Sequence, residues 1–90
     1  MTARRGNLES FIMSLPAATY GDFRTVLKRT GFELIRSRKH EVWRNIRSDG
    51  AILRVVVSHQ GGRDIPRGLF AAMCRQAGIT PEEFFGILQR

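Results

Sequence analysis

The pattern of apolar and polar residues divides the chain into four helical segments and a central group of strands. Apolar residues recur at the three- and four-residue spacing of an amphipathic helix in four segments, at 8–15, 23–27, 69–77 and 84–88. Between the second and third of these, the apolar period shortens towards two, which predicts strands at 32–36, 40–46 and 51–58. The pattern of apolar residues therefore predicts two helices before and two helices after three consecutive strands.

Capping signals indicate where the helices begin and end. Thr19 and Asp22 have the spacing of a capping box at the start of the second helix, and Gly31 is expected to close that helix. The run Thr80-Pro81-Glu82-Glu83 is a second capping box with proline at the first helical position. Gly78 is the expected C-cap of the helix before it.

These elements predict one α+β domain. Ser48-Asp49-Gly50 is typical of a hairpin turn, so the three strands should form an antiparallel meander. Helices on one face of such a sheet are the arrangement of double-stranded-RNA-binding folds. We expect a single domain over 1–90, with an N-terminal helix and loop at 8–19 and a core at 20–89. The other face of the sheet should be open to solvent.

The charge of the chain is positive and unevenly distributed. Fifteen Lys and Arg against eight Asp and Glu give a net charge of +7, and the excess lies within residues 24–67. Thirteen of the fifteen cations are arginine, whose planar guanidinium binds phosphate in a bidentate way. An anionic partner is expected, with nucleic acid first and a membrane surface second. The alternative is a solvated face that only improves solubility.

Several classes of protein do not fit this composition. No apolar run is long enough to span a bilayer, and the first residues lack the apolar stretch of a signal peptide. A single cysteine, Cys74, excludes an internal disulfide and has no Cys or His neighbour at metal-ligand spacing. We therefore expect a cytoplasmic protein without a disulfide scaffold or zinc finger, and no membrane partner.

Two histidines are the candidates for chemistry. His40 is expected at the start of the second strand and His59 just past the third, so a hairpin would bring both to one end of the sheet. An imidazole among cations suits RNA transesterification, in which protons move to and from oxygen while cations stabilise the charged phosphorane. Two histidines alone do not separate this role from that of ordinary surface residues.

Other reactive residues have simpler interpretations. Cys74 lies on the apolar side of a helix and is expected to be buried. Glu82 and Glu83 favour the N-terminal end of a helix dipole. Gly61-Gly62 lacks the Lys-Ser/Thr of a P-loop, so a turn is expected. Trp43 is expected in the core, with a base-stacking role as the alternative.

Six runs of sequence carry a family resemblance: LKRTGFELIR at 27–36, KHEVWR at 39–44, VVVSH at 55–59, IPRGL at 65–69, RQAGIT at 75–80 and EF at 83–84. Over about residues 8–89 the chain resembles the HicA toxin family. The resemblance implies a double-stranded-RNA-binding-like fold, mRNA interferase activity and neutralisation by a HicB antitoxin that covers the active site. It implies that His40 is the catalytic histidine and that His59 matches a second family histidine. Arg38-Lys39 stands where the family usually has Gly-Ser.

The sequence thus predicts the toxin of a type II toxin–antitoxin system, a metal-independent endoribonuclease that needs no cofactor. His40 is the catalytic candidate, His59 is a second catalytic or substrate-contacting candidate, and the RNA-binding candidates are Arg36, Arg38, Lys39, Arg44, Arg54 and Arg63. The expected partners are mRNA and a HicB-like antitoxin. We expect the protein to be a monomer alone and to form a hetero-oligomer with the antitoxin. Two alternatives remain: a non-catalytic RNA- or DNA-binding module, and an interaction domain for an acidic protein.

Overall fold

The computed structural model describes residues 15–90, which form three helices and three strands. The helices are α1 (Tyr20–Arg29), α2 (Arg67–Ala77) and α3 (Pro81–Leu88), and the strands are β1 (Glu33–Ser37), β2 (Glu41–Ile46) and β3 (Ile52–Val57). The helix predicted at 8–15 lies outside the described residues except for Leu15, whose side chain is buried.

Both predicted capping boxes are confirmed. The Thr19 hydroxyl accepts a hydrogen bond from the Asp22 amide at 2.9 Å, and the Asp22 carboxylate accepts one from the Thr19 amide at 3.0 Å. Thr80 and Glu83 make the same pair of bonds at 3.0 and 2.8 Å. Gly78 closes α2 with a φ of 74°, a left-handed conformation that glycine adopts without steric cost. These local bonds satisfy backbone groups that the helix ends would otherwise leave unpaired.

The three strands form an antiparallel sheet in the order β1-β2-β3. The predicted hairpin is confirmed: Ile46 pairs with Ile52, and the Gly50 amide donates to the Arg47 carbonyl at 2.9 Å inside the turn. The predicted C-cap of α1 was wrong by one residue: the C-cap is Thr30, and Gly31 follows it with a φ of 91°. β1 begins one residue later than expected, because the Phe32 amide donates to the Leu27 carbonyl at the end of α1 at 2.9 Å. Its pairing with β2 is interrupted by a register shift at Ile35.

The start of β2 differs from the prediction. The pairing of β1 with β2 ends at Ser37 and Glu41, so residues 38–40 form the connecting turn and His40 precedes the strand instead of opening it. β3 is also shorter than the predicted 51–58, and both Ser58 and His59 follow it. This difference matters for the site, because a turn residue does not have its direction fixed by the sheet ladder.

The helices cover one face of the sheet and leave the other open, as predicted. Trp43, Val55 and Val57 point to the helices and are buried. They meet an aromatic cluster in which the ring of Phe70 lies 6.0 Å from that of Phe23 and 4.8 Å from that of Phe84. The α+β class is therefore confirmed, and burial of Trp43 in the core excludes the base-stacking role.

Candidate active site

The turn at residues 38–40 forms one wall of a shallow cleft at the end of the sheet. The cleft has a volume of about 350 Å³, and its lining residues are Arg36, Arg38, Lys39, His40, Val42 and Val56. The two valines are directly paired across β2 and β3 on the open face. His40, Arg36, Arg38 and Lys39 are all exposed. The cleft thus has an apolar floor with one imidazole and three cations around it.

The open face of the sheet continues away from this cleft in paired rows. Val42 pairs with Val56 beside the cleft, Arg44 pairs with Arg54 in the next row, and Ile46 pairs with Ile52 near the hairpin. Like charges placed directly opposite one another repel, so the arginine row favours a bound anion or an acidic partner. Ile46 and Ile52 are 59% and 61% exposed, which is unusual for isoleucine.

Three of the central cations hold the fold together. Arg24 donates to the Ser58 carbonyl at 2.7 Å, and Arg67 donates to the Leu15 carbonyl at 3.0 Å. Arg29 donates to the carbonyls of Ile87 and Leu88 at 3.0 and 2.9 Å, at the negative end of the α3 dipole. These contacts explain part of the positive charge without a ligand.

Arg63 is separated from the other RNA-binding candidates. It lies in the loop before α2, outside the residues that line the cleft, and its guanidinium donates to the Gln60 side chain at 3.2 Å. The Arg63 carbonyl accepts from the Tyr20 amide at 3.1 Å, and the Gly61 carbonyl accepts from the Gly21 amide at 2.8 Å. The glycine loop therefore presents carbonyls to the start of α1, which agrees with the interpretation of this loop as a turn.

Glu41 is the centre of a hydrogen-bond network on the helix side of the sheet end. Its Oε1 accepts from Arg24 Nε at 2.7 Å and from Trp43 Nε1 at 2.9 Å, and its Oε2 lies 3.5 Å from His59 Nδ1. Burial raises the pKa of Glu41, but the hydrogen bonds from Arg24 and Trp43 and the charges of Arg24 and His59 outweigh this and hold the pKa below its ordinary value. Glu41 is therefore a charged carboxylate at neutral pH.

The two histidines lie at the same end of the sheet but have different surroundings. His40 lines the open-face cleft, whereas His59 contacts Glu41, whose side chain is buried on the helix side. His59 Nε2 lies 3.0 Å from the Arg38 carbonyl oxygen. The structure therefore brings His40 together with Arg36, Arg38 and Lys39, and it does not place His59 in that cleft.

Sequence reasoning assigned no role at the site to Glu41 or Arg24. The available signal was the alternation of β2, which places Glu41 on the same side as the buried Trp43 and therefore puts a lone acid on an apolar face. Arg24, seventeen residues earlier on α1, had no such signal, because its pairing with Glu41 depends on helix packing.

The remaining reactive residues have structural positions. Cys74 is buried in the core, and burial raises the pKa of its thiol to about 12. Within residues 15–90, no group of three or more His, Cys, Asp or Glu side chains could hold a metal ion. No helix in this range is long and apolar enough to cross a membrane.

The cleft has the parts needed for proton transfer next to a phosphate. An exposed imidazole can take up or release a proton near neutral pH, and arginine and lysine can stabilise negative charge on a phosphoryl group. These residues line one cleft, and its lining has none of the base-stacking aromatics that single-strand-binding sheets use.

One comparison with known proteins found a match. The family model described as the HicA toxin of bacterial toxin–antitoxin matches residues 20–79, which is more than half of the chain. No curated protein and no solved structure matches the chain. The match confirms the family resemblance seen in the sequence, whereas the likeness to double-stranded-RNA-binding folds rests on the order of elements.

Proposed function

Because the chain belongs to the HicA toxin family of bacterial toxin–antitoxin systems, we propose that it is a metal-independent endoribonuclease that cleaves mRNA. The observation that carries this proposal is the position of His40, exposed in a turn and surrounded by Arg36, Arg38 and Lys39 at one cleft. Family membership supports a toxin, and the cleft supports a substrate with a phosphate backbone.

The proposed reaction is a transesterification within RNA. The 2′-oxygen attacks the adjacent phosphorus as its proton leaves, the bond to the 5′-oxygen breaks, and that oxygen gains a proton. His40 serves as general acid or base, and solvent completes the other proton transfer because the cleft is open. Arg38 and Lys39 hold the phosphate and stabilise the charged phosphorane, a task that a metal ion performs in other nucleases. The expected products are a 2′,3′-cyclic phosphate and a 5′-hydroxyl end.

A HicB-like antitoxin is the proposed protein partner. The open face offers exposed isoleucines beside the Arg44–Arg54 row, and such a surface suits a partner that combines carboxylates with apolar side chains. A partner on this face would reach the cleft, because Val42 and Val56 belong to both. The proposed assembly is a monomeric toxin that forms a hetero-oligomer with its antitoxin in the cytoplasm, where mRNA is found.

The test compares the parent with His40→Ala, using Gln76→Ala as an exposed control on α2. Loss of a proton-transfer group should lower the cleavage rate by about 10²–10⁴-fold and abolish growth arrest on expression, while RNA affinity and the thermal melt stay unchanged. Cleavage should persist in EDTA and fail on an all-deoxy strand. A His40→Ala protein that cleaves like the parent would remove His40 from the mechanism.

The same experiment separates the enzyme from a binding module. A parent protein that binds RNA tightly but never cleaves it, even in excess and without antitoxin, would identify a non-catalytic RNA-binding protein. Strong inhibition of the parent by EDTA would contradict the metal-independent reaction.

A further inference from the structure

We propose that His59 is a positioning residue, which holds the turn that carries His40 and is itself held by Glu41 and Arg24. This inference rests on the proposed function only in taking His40 as the group that acts on substrate. It assigns a role to the second histidine that differs from acid or base catalysis. It also gives a purpose to the buried carboxylate beside the site.

His59 makes a hydrogen bond to the turn at residues 38–40. His59 Nε2 lies 3.0 Å from the Arg38 carbonyl oxygen, and a carbonyl oxygen only accepts, so Nε2 donates. Within residues 15–90, this is the one hydrogen bond to residues 38–40 outside the sheet ladder. Removing it would free the backbone two residues before His40.

His59 also lies against the buried side chain of Glu41. The other ring nitrogen of His59, Nδ1, lies 3.5 Å from Glu41 Oε2, so the ring lies between the turn and the first residue of β2, and this contact is an ion pair when both ring nitrogens carry protons. Glu41 is in turn held by Arg24 at 2.7 Å and by the buried Trp43 at 2.9 Å. A continuous chain of contacts therefore runs from α1 through Glu41 and His59 to the Arg38 carbonyl.

His40 and Glu41 are neighbours in the chain but lie on opposite sides of the sheet. Glu41 points to the helix side, and His40, the preceding residue, lines the cleft on the open side. The anchors at Arg38 and Glu41 thus flank His40 on both sides in the chain. An active-site group displaced by about 1 Å loses much of its rate, so release of one anchor should lower kcat. It should leave phosphate binding by exposed cations largely intact.

The experiment compares three variants of the full chain: His59→Ala, His59→Gln and the control Gln60→Ala. Glutamine places an amide N–H near the position of Nε2, so it can donate to the Arg38 carbonyl but cannot relay a proton at neutral pH. The Gln60 amide donates to Ser58 Oγ at 2.9 Å and makes no bond to the turn.

We expect His59→Ala to lower kcat by about 10- to 100-fold with little change in KM. His59→Gln should stay within about threefold of the parent, and the pH–rate profile should keep its shape in both variants. Gln60→Ala should match the parent.

Three results would overturn the proposal: an unchanged kcat in His59→Ala, an equal loss in His59→Ala and His59→Gln, or the disappearance of one limb of the pH–rate profile. The last two would make His59 a proton-transfer residue. Failure of the proposed function has a different signature, in which the parent itself cleaves no RNA. Backbone NMR order parameters at residues 38–40 then decide: lower order parameters in His59→Ala but not in His59→Gln support positioning, and unchanged order parameters in both refute it.

Discussion

The salt dependence of RNA affinity should report how many phosphates this protein contacts. Each phosphate contact to a single strand contributes a slope of about −0.7 to a plot of log affinity against log salt. The cleft offers three cations, Arg36, Arg38 and Lys39. Contact through the cleft alone therefore predicts a slope of about −2, and affinity should fall about 20-fold between about 50 and 200 mM salt.

A wider contact area would give a much steeper curve. If Arg44, Arg54 and Arg63 also bound phosphates, the six contacts would give a slope of about −4 and a loss of about 300-fold over the same range. The difference between these two slopes is far larger than the error of a titration. We expect the smaller slope, because Arg63 lies outside the cleft and the Arg44–Arg54 row suits an acidic protein.

Fluorescence anisotropy of a labelled single-stranded RNA measures these slopes, with His40→Ala used throughout to prevent cleavage. Lys39→Ala should reduce the magnitude of the slope by about 0.7. Lys28→Ala removes an exposed cation from α1 and serves as the matched control with an unchanged slope. Arg54→Ala should also leave the slope unchanged if RNA is confined to the cleft.

An RNA affinity that does not change with salt concentration would show that the basic surface does not bind nucleic acid through its phosphates. A slope near −4, reduced by Arg54→Ala, would extend the RNA site over the open face and contradict its confinement to the cleft. An unchanged slope in Lys39→Ala would show that the turn at 38–40 does not bind phosphate.

Three further predictions concern the fold that supports the site. Burial raises the pKa of the Cys74 thiol to about 12, so iodoacetamide at about pH 8 should not modify Cys74 in the folded protein. The same reagent should alkylate Cys74 when the protein is unfolded in guanidinium chloride. Rapid alkylation of the native protein would contradict the burial of Cys74. Gly78→Ala should destabilise the protein by about 1–2 kcal/mol, because φ is 74° and a residue with a side chain is strained in this left-handed conformation. Gly86→Ala in α3 has open space around the new Cβ and should stabilise the protein by about 0.5–1 kcal/mol, with urea unfolding as the measurement for both variants. The pKa of Glu41 is lower in the folded state than in the unfolded state, so the contribution of Glu41 to stability is fully present above the unfolded pKa near 4.5 and is lost as the pH falls through the folded pKa. The free energy of unfolding of the parent should therefore drop more steeply with acid than that of Glu41→Gln. Parallel curves of stability against pH for the two proteins would refute the network.

The cluster at the cleft was partly accessible from the sequence. Arg38, Lys39 and His40 are consecutive, so one turn exposes all three wherever it lies. The predicted meander also brought the ends of β2 and β3 together, which placed both histidines at one end of the sheet. The roles of both histidines stay predictions.

The separation of the two histidines was not accessible in the same way. Neither histidine lies within a strand, so the alternation of β2 and β3 does not fix the direction of either side chain. The predicted start at His40 was wrong by one residue, and the structure places Glu41 first. The pairing of Glu41 with Arg24 joins residues that only the packing of α1 on the sheet brings into contact.

The sequence by itself determined those features of the structure that depend only on interactions between neighbouring residues. Capping boxes at Thr19 and Thr80 and the turn at Asp49 and Gly50 involve groups within a few residues of one another, so their hydrogen bonds form wherever those residues lie. Net charge and its central position are likewise properties of the chain itself. Only the tertiary structure decided which cations bind carbonyls and which remain exposed, because that depends on distances between residues that folding alone brings together.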